Sequence, residues 1–86
     1  MEYSVENLAK MATISVRTLH YYDEIGLLKP ARRMENGRRY YHMEELLTLT
    51  DIIFFKRLGF SLKKIQNMLV TKNTTKHTLL LTKKRF

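Results

Sequence analysis

The sequence predicts a mostly α fold in which a helix-turn-helix carries a short β-hairpin wing and is followed by two further helices. Three observations predict it. Two short amphipathic runs, each preceded by a serine, are separated by a tight turn; an Asn-Gly dipeptide sits between two basic, strand-compatible runs; and two further apolar runs from Met43 onward are punctuated by Gly59 and Ser61. At 86 residues the chain has the size of one domain. Such a chain buries only about 60–65% of its unfolded surface, so every apolar position matters.

The first run carries Val5, Leu8, Ala9 and Ala12 at helical spacing behind Ser4, a good N-cap, and ends near Met11. Glu2-Tyr3-Ser4 is too short to be assigned as a strand. Thr13-Ile14 makes a turn, and Ser15 caps a second helix spanning about Val16 to Ile25. Gly26 supplies its left-handed stop, Leu27 the apolar residue that folds back on the last turn, and Pro30 the block to resumption. At about 100° per residue, Val16, Leu19 and Tyr22 fall on one side of this helix and Arg17, His20, Tyr21 and Glu24 on the other. The first set is core. The second presents a guanidinium, an imidazole and a phenol, groups suited to phosphates and base edges, on an element that a DNA major groove admits. A solvated face accounts for any one of them; the set points to nucleic acid.

The segment KPARRMENGRRYYH reads as a hairpin turning at Asn36-Gly37 in a type I′ turn, which places Glu35 opposite Arg38, Met34 opposite Arg39 and Arg33 opposite Tyr40. Four arginines on one ribbon repel one another unless a polyanion lies beside them, so the hairpin reads as a wing that grips a sugar-phosphate backbone. Tyr40 and Tyr41 alternate sides, one packing inward. From Met43 to Leu58 a longer helix follows, with Met43, Leu46, Leu47, Ile53, Phe54 and Leu58 expected in the core. Leu49, Ile52 and Phe55 form a surplus apolar face that another helix or a partner must cover. Gly59 ends that helix and Ser61 caps the next, which runs from Leu62 to about Val70 with Leu62, Ile65, Met68 and Leu69 inward. Lys63 and Lys64 in its first turn oppose the helix dipole, which suits an external anion. Residues 71–86 read as a linker and the start of a further helix that stops after little more than two turns.

Charge narrows the function. The formal net charge is +8, with five basic residues between Lys29 and Arg39, nine between Lys56 and Arg85, and no carboxylate side chain after Asp51. Such a surface seeks a polyanion. The chain contains no cysteine, which excludes disulfides, thiol nucleophiles and thiolate metal sites and favours a cytoplasmic location. No apolar run approaches a membrane span. The three histidines are scattered over separate elements without metal-ligand spacing, and there is no phosphate-binding glycine loop. Neither an enzyme, a metal site nor a cofactor is expected.

The ordered elements resemble the DNA-binding domain of the MerR family of transcriptional regulators, over residues 2 to about 70. The resemblance rests on Tyr3-Ser4-Val5, Leu8-Ala9, Ser15-Val16-Arg17-Thr18-Leu19 through Tyr21-Tyr22-Asp23, Ile25-Gly26-Leu27-Leu28, Pro30, Asn36-Gly37 with Arg39 and Tyr41, and Leu58-Gly59-Phe60-Ser61-Leu62 with Ile65. Leu19-His20 and Phe54-Phe55-Lys56 are most similar to the TipA-like branch. The resemblance implies a winged helix-turn-helix over 1–70 that binds a palindromic promoter operator in double-stranded DNA and distorts it, acting on RNA polymerase indirectly. It places Arg17, Thr18, Tyr21 and Tyr22 at the recognition helix, Arg38 and Arg39 at the wing, and Lys63 at the second wing; the candidate DNA-binding set adds Ser15, Val16, His20, Arg33, Tyr40 and Lys64. A long C-terminal helix makes such regulators homodimers, for which Leu49, Ile52, Phe55, Leu79 and Leu80 are the candidate interface. This chain alone is expected to be a monomer or weak dimer. Three positions depart from the family's pattern: Thr13 stands where glycine is usual, Arg38 where an aromatic residue is common, and His42 where a helix N-cap is often Ser or Thr. An excisionase-like DNA-bending protein and a helix-binding interaction module are the alternative functions. Footprinting separates the first, and salt dependence the second.

Overall fold

Residues 1–71 are described in the computed structural model. The chain divides into two units, one ending at Phe54 and one beginning at Phe55. The first opens with β1 (Tyr3–Ser4) and passes directly into α1 (Val5–Ala12), because Ser4 turns from strand to cap: its Oγ accepts the Asn7 amide at 3.1 Å. α1 closes on Thr13, which adopts φ 58° and ψ 44°. The Thr13 amide donates to the Lys10 carbonyl at 3.3 Å and the Ile14 amide to that of Ala9 at 3.0 Å. This is the left-handed closure that glycine usually provides.

α2 (Val16–Glu24) starts at Ser15, whose Oγ accepts the Thr18 amide at 3.0 Å. It ends as the sequence predicts: Gly26 takes φ 75°, and the Leu27 amide returns to the Tyr22 carbonyl at 2.8 Å. The apolar arcs of α1 and α2 meet at Leu8, Ala9, Leu19 and Tyr22, joined in the buried core by Leu27, Leu28 and Tyr41.

The hairpin consists of β2 (Arg32–Arg33) and β3 (Arg39–Tyr41), and β3 also pairs with β1, giving a three-stranded antiparallel sheet in the order β1-β3-β2. Its register differs by one residue from the sequence expectation. Arg33 pairs with Arg39 and Arg32 with Tyr40, instead of Arg33 with Tyr40. Two bonds define the loop, Met34 amide to Arg38 carbonyl at 2.8 Å and Gly37 amide to Met34 carbonyl at 2.9 Å. Only Gly37 has positive φ, at 87°, while Asn36 does not. The turn is therefore a three-residue loop ending in a left-handed glycine bulge rather than a type I′ turn. The Asn36 side chain helps select it, because its Oδ1 accepts the Arg38 amide at 3.0 Å and favours a local turn over the two-residue loop. A one-residue slip reverses which side chains share a face.

α3 (Met43–Arg57) begins at His42, whose amide donates to Glu45 Oε1 at 2.7 Å while its carbonyl accepts from Leu46. Its burial overturns the expected core. Leu49 and Ile52 are fully buried, whereas Met43, Leu47, Phe54 and Leu58 are exposed and Leu46 and Ile53 partly so. The helix is apolar on nearly every side, so periodicity has no preferred face to report and tertiary packing makes the choice. Leu49 and Ile52 are consequently core residues and not a free face. In the second unit, Phe55 and Phe60 meet edge to face at 6.0 Å. Ser61 then caps α4, which begins at residue 62 and is followed to residue 71, and its Oγ accepts the Lys64 amide at 3.1 Å. Ile65 and Leu69 are the buried positions of α4. Leu79 and Leu80, expected at a dimer interface, lie outside the described residues.

Candidate nucleic-acid interface

The outer face of α2 follows from its cap and its core arc. With Leu19 and Tyr22 turned inward, Arg17 and Tyr21, four residues apart, are turned out and exposed, and His20 is half-buried beside them. Among the described residues, Arg17 has no ion-pair or hydrogen-bond partner within the chain. A guanidinium left in this state on a short helix is ready for a phosphate or a base edge. Ser15 is the exposed N-cap, Val16 is partly buried, and Thr18 Oγ1 lies 2.8 Å from Ser15 Oγ. Tyr22, which the resemblance places at the same surface and the helical arc places in the core, is buried, and burial raises its phenol pKa.

A cleft of about 210 Å³ opens where α2 meets the loop of the wing, lined by Glu6, His20, Asn36, Arg38 and Arg39 among others. Arg38 stands at its rim with 58% of its side chain exposed, 3.8 Å from Glu6. That separation between two exposed groups is a weak tether. The structure thus brings His20 of α2 and Arg38 of the wing to one opening.

The remaining wing cations are held inside the chain. Arg32 gives Nε and Nη2 to the two carboxylate oxygens of Glu2 at 3.0 and 2.8 Å, and its guanidinium lies 5.2 Å from the centre of the Tyr40 ring. Glu2 also meets His42 Nε2 at 3.1 Å. The Arg32 hydrogen bonds foremost, then that of His42, hold the Glu2 carboxyl below its ordinary pKa. Arg33 and Arg39 both bind Asp23, the one buried charged residue among those described. Arg33 Nη1 and Nη2 reach its oxygens at 2.6 and 2.7 Å, and Arg39 Nε reaches Oδ2 at 2.7 Å. The bonds from Arg33 first, and from Arg39 after them, keep the Asp23 carboxyl below its ordinary pKa against the opposing effect of burial.

Sequence reasoning does not single out Asp23 as a site residue. A signal is present: Asp23 lies seven residues from Val16 and four from Leu19, on the core arc of α2, with a surplus of arginines in the next element. Tyr41 is the inward tyrosine of the pair; burial foremost raises its pKa, and its hydroxyl has no hydrogen-bond partner among the described residues. Lys63 and Lys64 are exposed in the first turn of α4. Among the described residues no three His, Asp or Glu side chains are grouped to hold a metal ion, and no helix is long and apolar enough to cross a membrane.

Residues 3–72 match the family described as MerR HTH family regulatory protein. The chain is 48% identical to the HTH-type transcriptional regulator SkgA of Caulobacter vibrioides over 74% of its length, and 45% identical to the HTH-type transcriptional activator TipA of Streptomyces coelicolor over 80%. It spans only about a quarter of those curated relatives, 25% and 27% respectively. Among solved structures, HiNmlR, described as a MerR family regulator lacking the sensor domain and bound to promoter DNA, is similar with a TM-score of 0.75 and 31% identity, over 98% of this chain and 70% of that one.

Proposed function

This chain belongs to the MerR family of helix-turn-helix transcriptional regulators, on the TipA-like side of it, and from that premise we propose that it seats α2 in the major groove of double-stranded promoter DNA. The relatives it matches are regulators and the fold is theirs; the chain is not an enzyme. The observation that carries the groove assignment is the outer face of α2, where Arg17 and Tyr21 stand exposed on the helix that sends His20 to the cleft lined by Arg38. In this reading Arg17 hydrogen-bonds a base edge or an adjacent phosphate, Thr18, His20 and Tyr21 complete the contact, and Arg38 fixes register by gripping the backbone. Lys63 and Lys64 add phosphate contacts from the start of α4. The target is a palindromic operator distorted on binding, so that a homodimer of the full-length regulator acts in the cytoplasm on RNA polymerase through promoter geometry.

The test begins with a duplex selected from a random-sequence library by the 86-residue chain. Affinity for that duplex and for a random-sequence duplex is then measured by fluorescence anisotropy between about 50 and 200 mM salt, a range over which every phosphate neutralised by the protein adds about 0.9 to the steepness of the log-log slope. Binding that weakens steeply with salt, and a selected duplex favoured over the random one, support the reading. Selection that enriches no sequence, or affinity indifferent to salt, contradicts it.

A further inference from the structure

Two elements of the first unit meet at one carboxylate. Asp23 leaves the last turn of α2 with 4% of its side chain exposed, and both strands of the hairpin send an arginine to it, Arg33 from β2 and Arg39 from β3. The register makes this possible. Because Arg33 pairs directly with Arg39, both side chains leave the same face of the ribbon; in the register expected from a type I′ turn they would leave opposite faces and could not share a partner. Two guanidiniums directly opposite one another repel, and a carboxylate between them converts that repulsion into attraction. The bonds are short and charge-assisted, at 2.6 to 2.7 Å, and Arg33 is bidentate.

The consequence for a bound polyanion is specific. Of the four arginines on the ribbon, Arg32 is held by Glu2 and Arg33 and Arg39 by Asp23, which leaves Arg38 as the loosely tethered one. For Arg33 or Arg39 to swing to a phosphate, it must leave a buried carboxylate short of the bonds it gave, two of the three for Arg33 and one for Arg39. That is far costlier than exchanging the water around an exposed guanidinium for a phosphate. The clamp also couples the wing to α2 as one body, so the distance between the groove-facing side chains and Arg38 is set before any duplex arrives.

We propose that Asp23 is a positioning residue for DNA recognition: through Arg33 and Arg39 it locks the wing to the recognition helix, and it withholds both guanidiniums from the phosphate backbone. The withholding rests on the DNA reading above; the locking does not. Freed from the clamp, the two arginines would grip any duplex, so the intact clamp favours discrimination over bulk affinity.

The experiment uses the full 86-residue chain and has two arms. In the first, without DNA, amide hydrogen exchange across residues 32–41 is compared between wild type and Asp23→Asn. Hairpin amides are expected to exchange about tenfold faster or more, with α1 and the first two turns of α2 unchanged, the signature of a locally released element. Equal protection of the hairpin in the variant overturns the positioning role. In the second arm, binding to a random-sequence duplex of about 30 base pairs is titrated with salt. Asp23→Asn is expected to bind this duplex more tightly with a slope steeper by up to about two units, while the preference for the selected duplex falls. An unchanged or shallower slope overturns the withholding.

Should Asp23→Asn fail to fold, Arg33→Gln serves, since that side chain is 49% exposed. It is expected to loosen the hairpin in the first arm and keep the wild-type salt slope in the second. A slope shallower by about one unit would show Arg33 on a phosphate and overturn the proposal. Failure of wild type to bind any duplex would defeat the DNA reading, and the exchange arm would still decide whether Asp23 positions the wing.

Discussion

At the scale of single residues, two positions carry conformational or ionic demands that composition does not advertise. Thr13 is the only non-glycine with positive φ among the described residues. A β-branched side chain held in the left-handed region costs on the order of 1–3 kcal/mol, which a glycine avoids while losing somewhat more backbone entropy on folding. Thr13→Gly is therefore expected to stabilise the fold by about 1 kcal/mol, read from the urea midpoint at unchanged slope; a lower midpoint would show that the threonine side chain contributes more than its backbone strain removes. Asp23 makes the pH-dependent contribution. Its folded pKa lies below the unfolded value of about 3.9, so its stabilisation is fully present above that value and is lost as pH falls through the folded pKa. Wild type should exceed Asp23→Asn by about 2 kcal/mol at pH 7, and chemical denaturation should show the gap closing below about pH 4. A gap that persists unchanged at about pH 2.5, well below the unfolded value, would mean that packing, not charge, holds the clamp.

At the scale of elements, the wing separates the roles of its cations. Arg38→Ala is expected to lower affinity for selected and random duplexes alike and to flatten the salt slope by about one unit, because the role proposed for Arg38 is to grip phosphate without reading sequence. A loss confined to the selected duplex would make Arg38 a base reader. The wing also shows where the sequence is legible and where it is not. Serine caps, Gly26 and the core arc of α2 place both helices of the helix-turn-helix within a residue or two, since each of those signals is local. The hairpin is equally visible, but its register is not: Asn-Gly fits both a two-residue turn and a longer loop ending in a glycine bulge, and the Asn36 side chain, the Asp23 clamp and the pairing of β3 with β1 together distinguish them. α3 is illegible for a different reason. A helix with Leu46, Leu47, Leu49, Ile52, Ile53, Phe54 and Phe55 is apolar around most of its circumference, so the side it buries, Leu49 and Ile52, depends on packing that no local pattern encodes.

At the scale of the whole molecule, the 16 lysines and arginines overstate the cations available to a polyanion, because the wing returns three of its arginines to Glu2 and Asp23. Among the exposed cations, Arg17 on α2, Arg38 on the wing and Lys63 and Lys64 on α4 are spread over separate elements. That division suits a protein in which one helix reads and the others hold. The central assignment is that α2 does the reading, and Arg17 is its test. Arg17 is exposed in the first turn and has no hydrogen-bond or ion-pair partner among the described residues, so Arg17→Ala should leave the thermal midpoint unchanged. The decisive measurement is the affinity of this variant for the selected duplex relative to the random one. A loss of about 5- to 150-fold on the selected duplex, corresponding to about 1–3 kcal/mol for one specific contact, with a much smaller loss on the random duplex, is the result expected. Wild-type affinity for the selected duplex would contradict it and remove α2 from the groove.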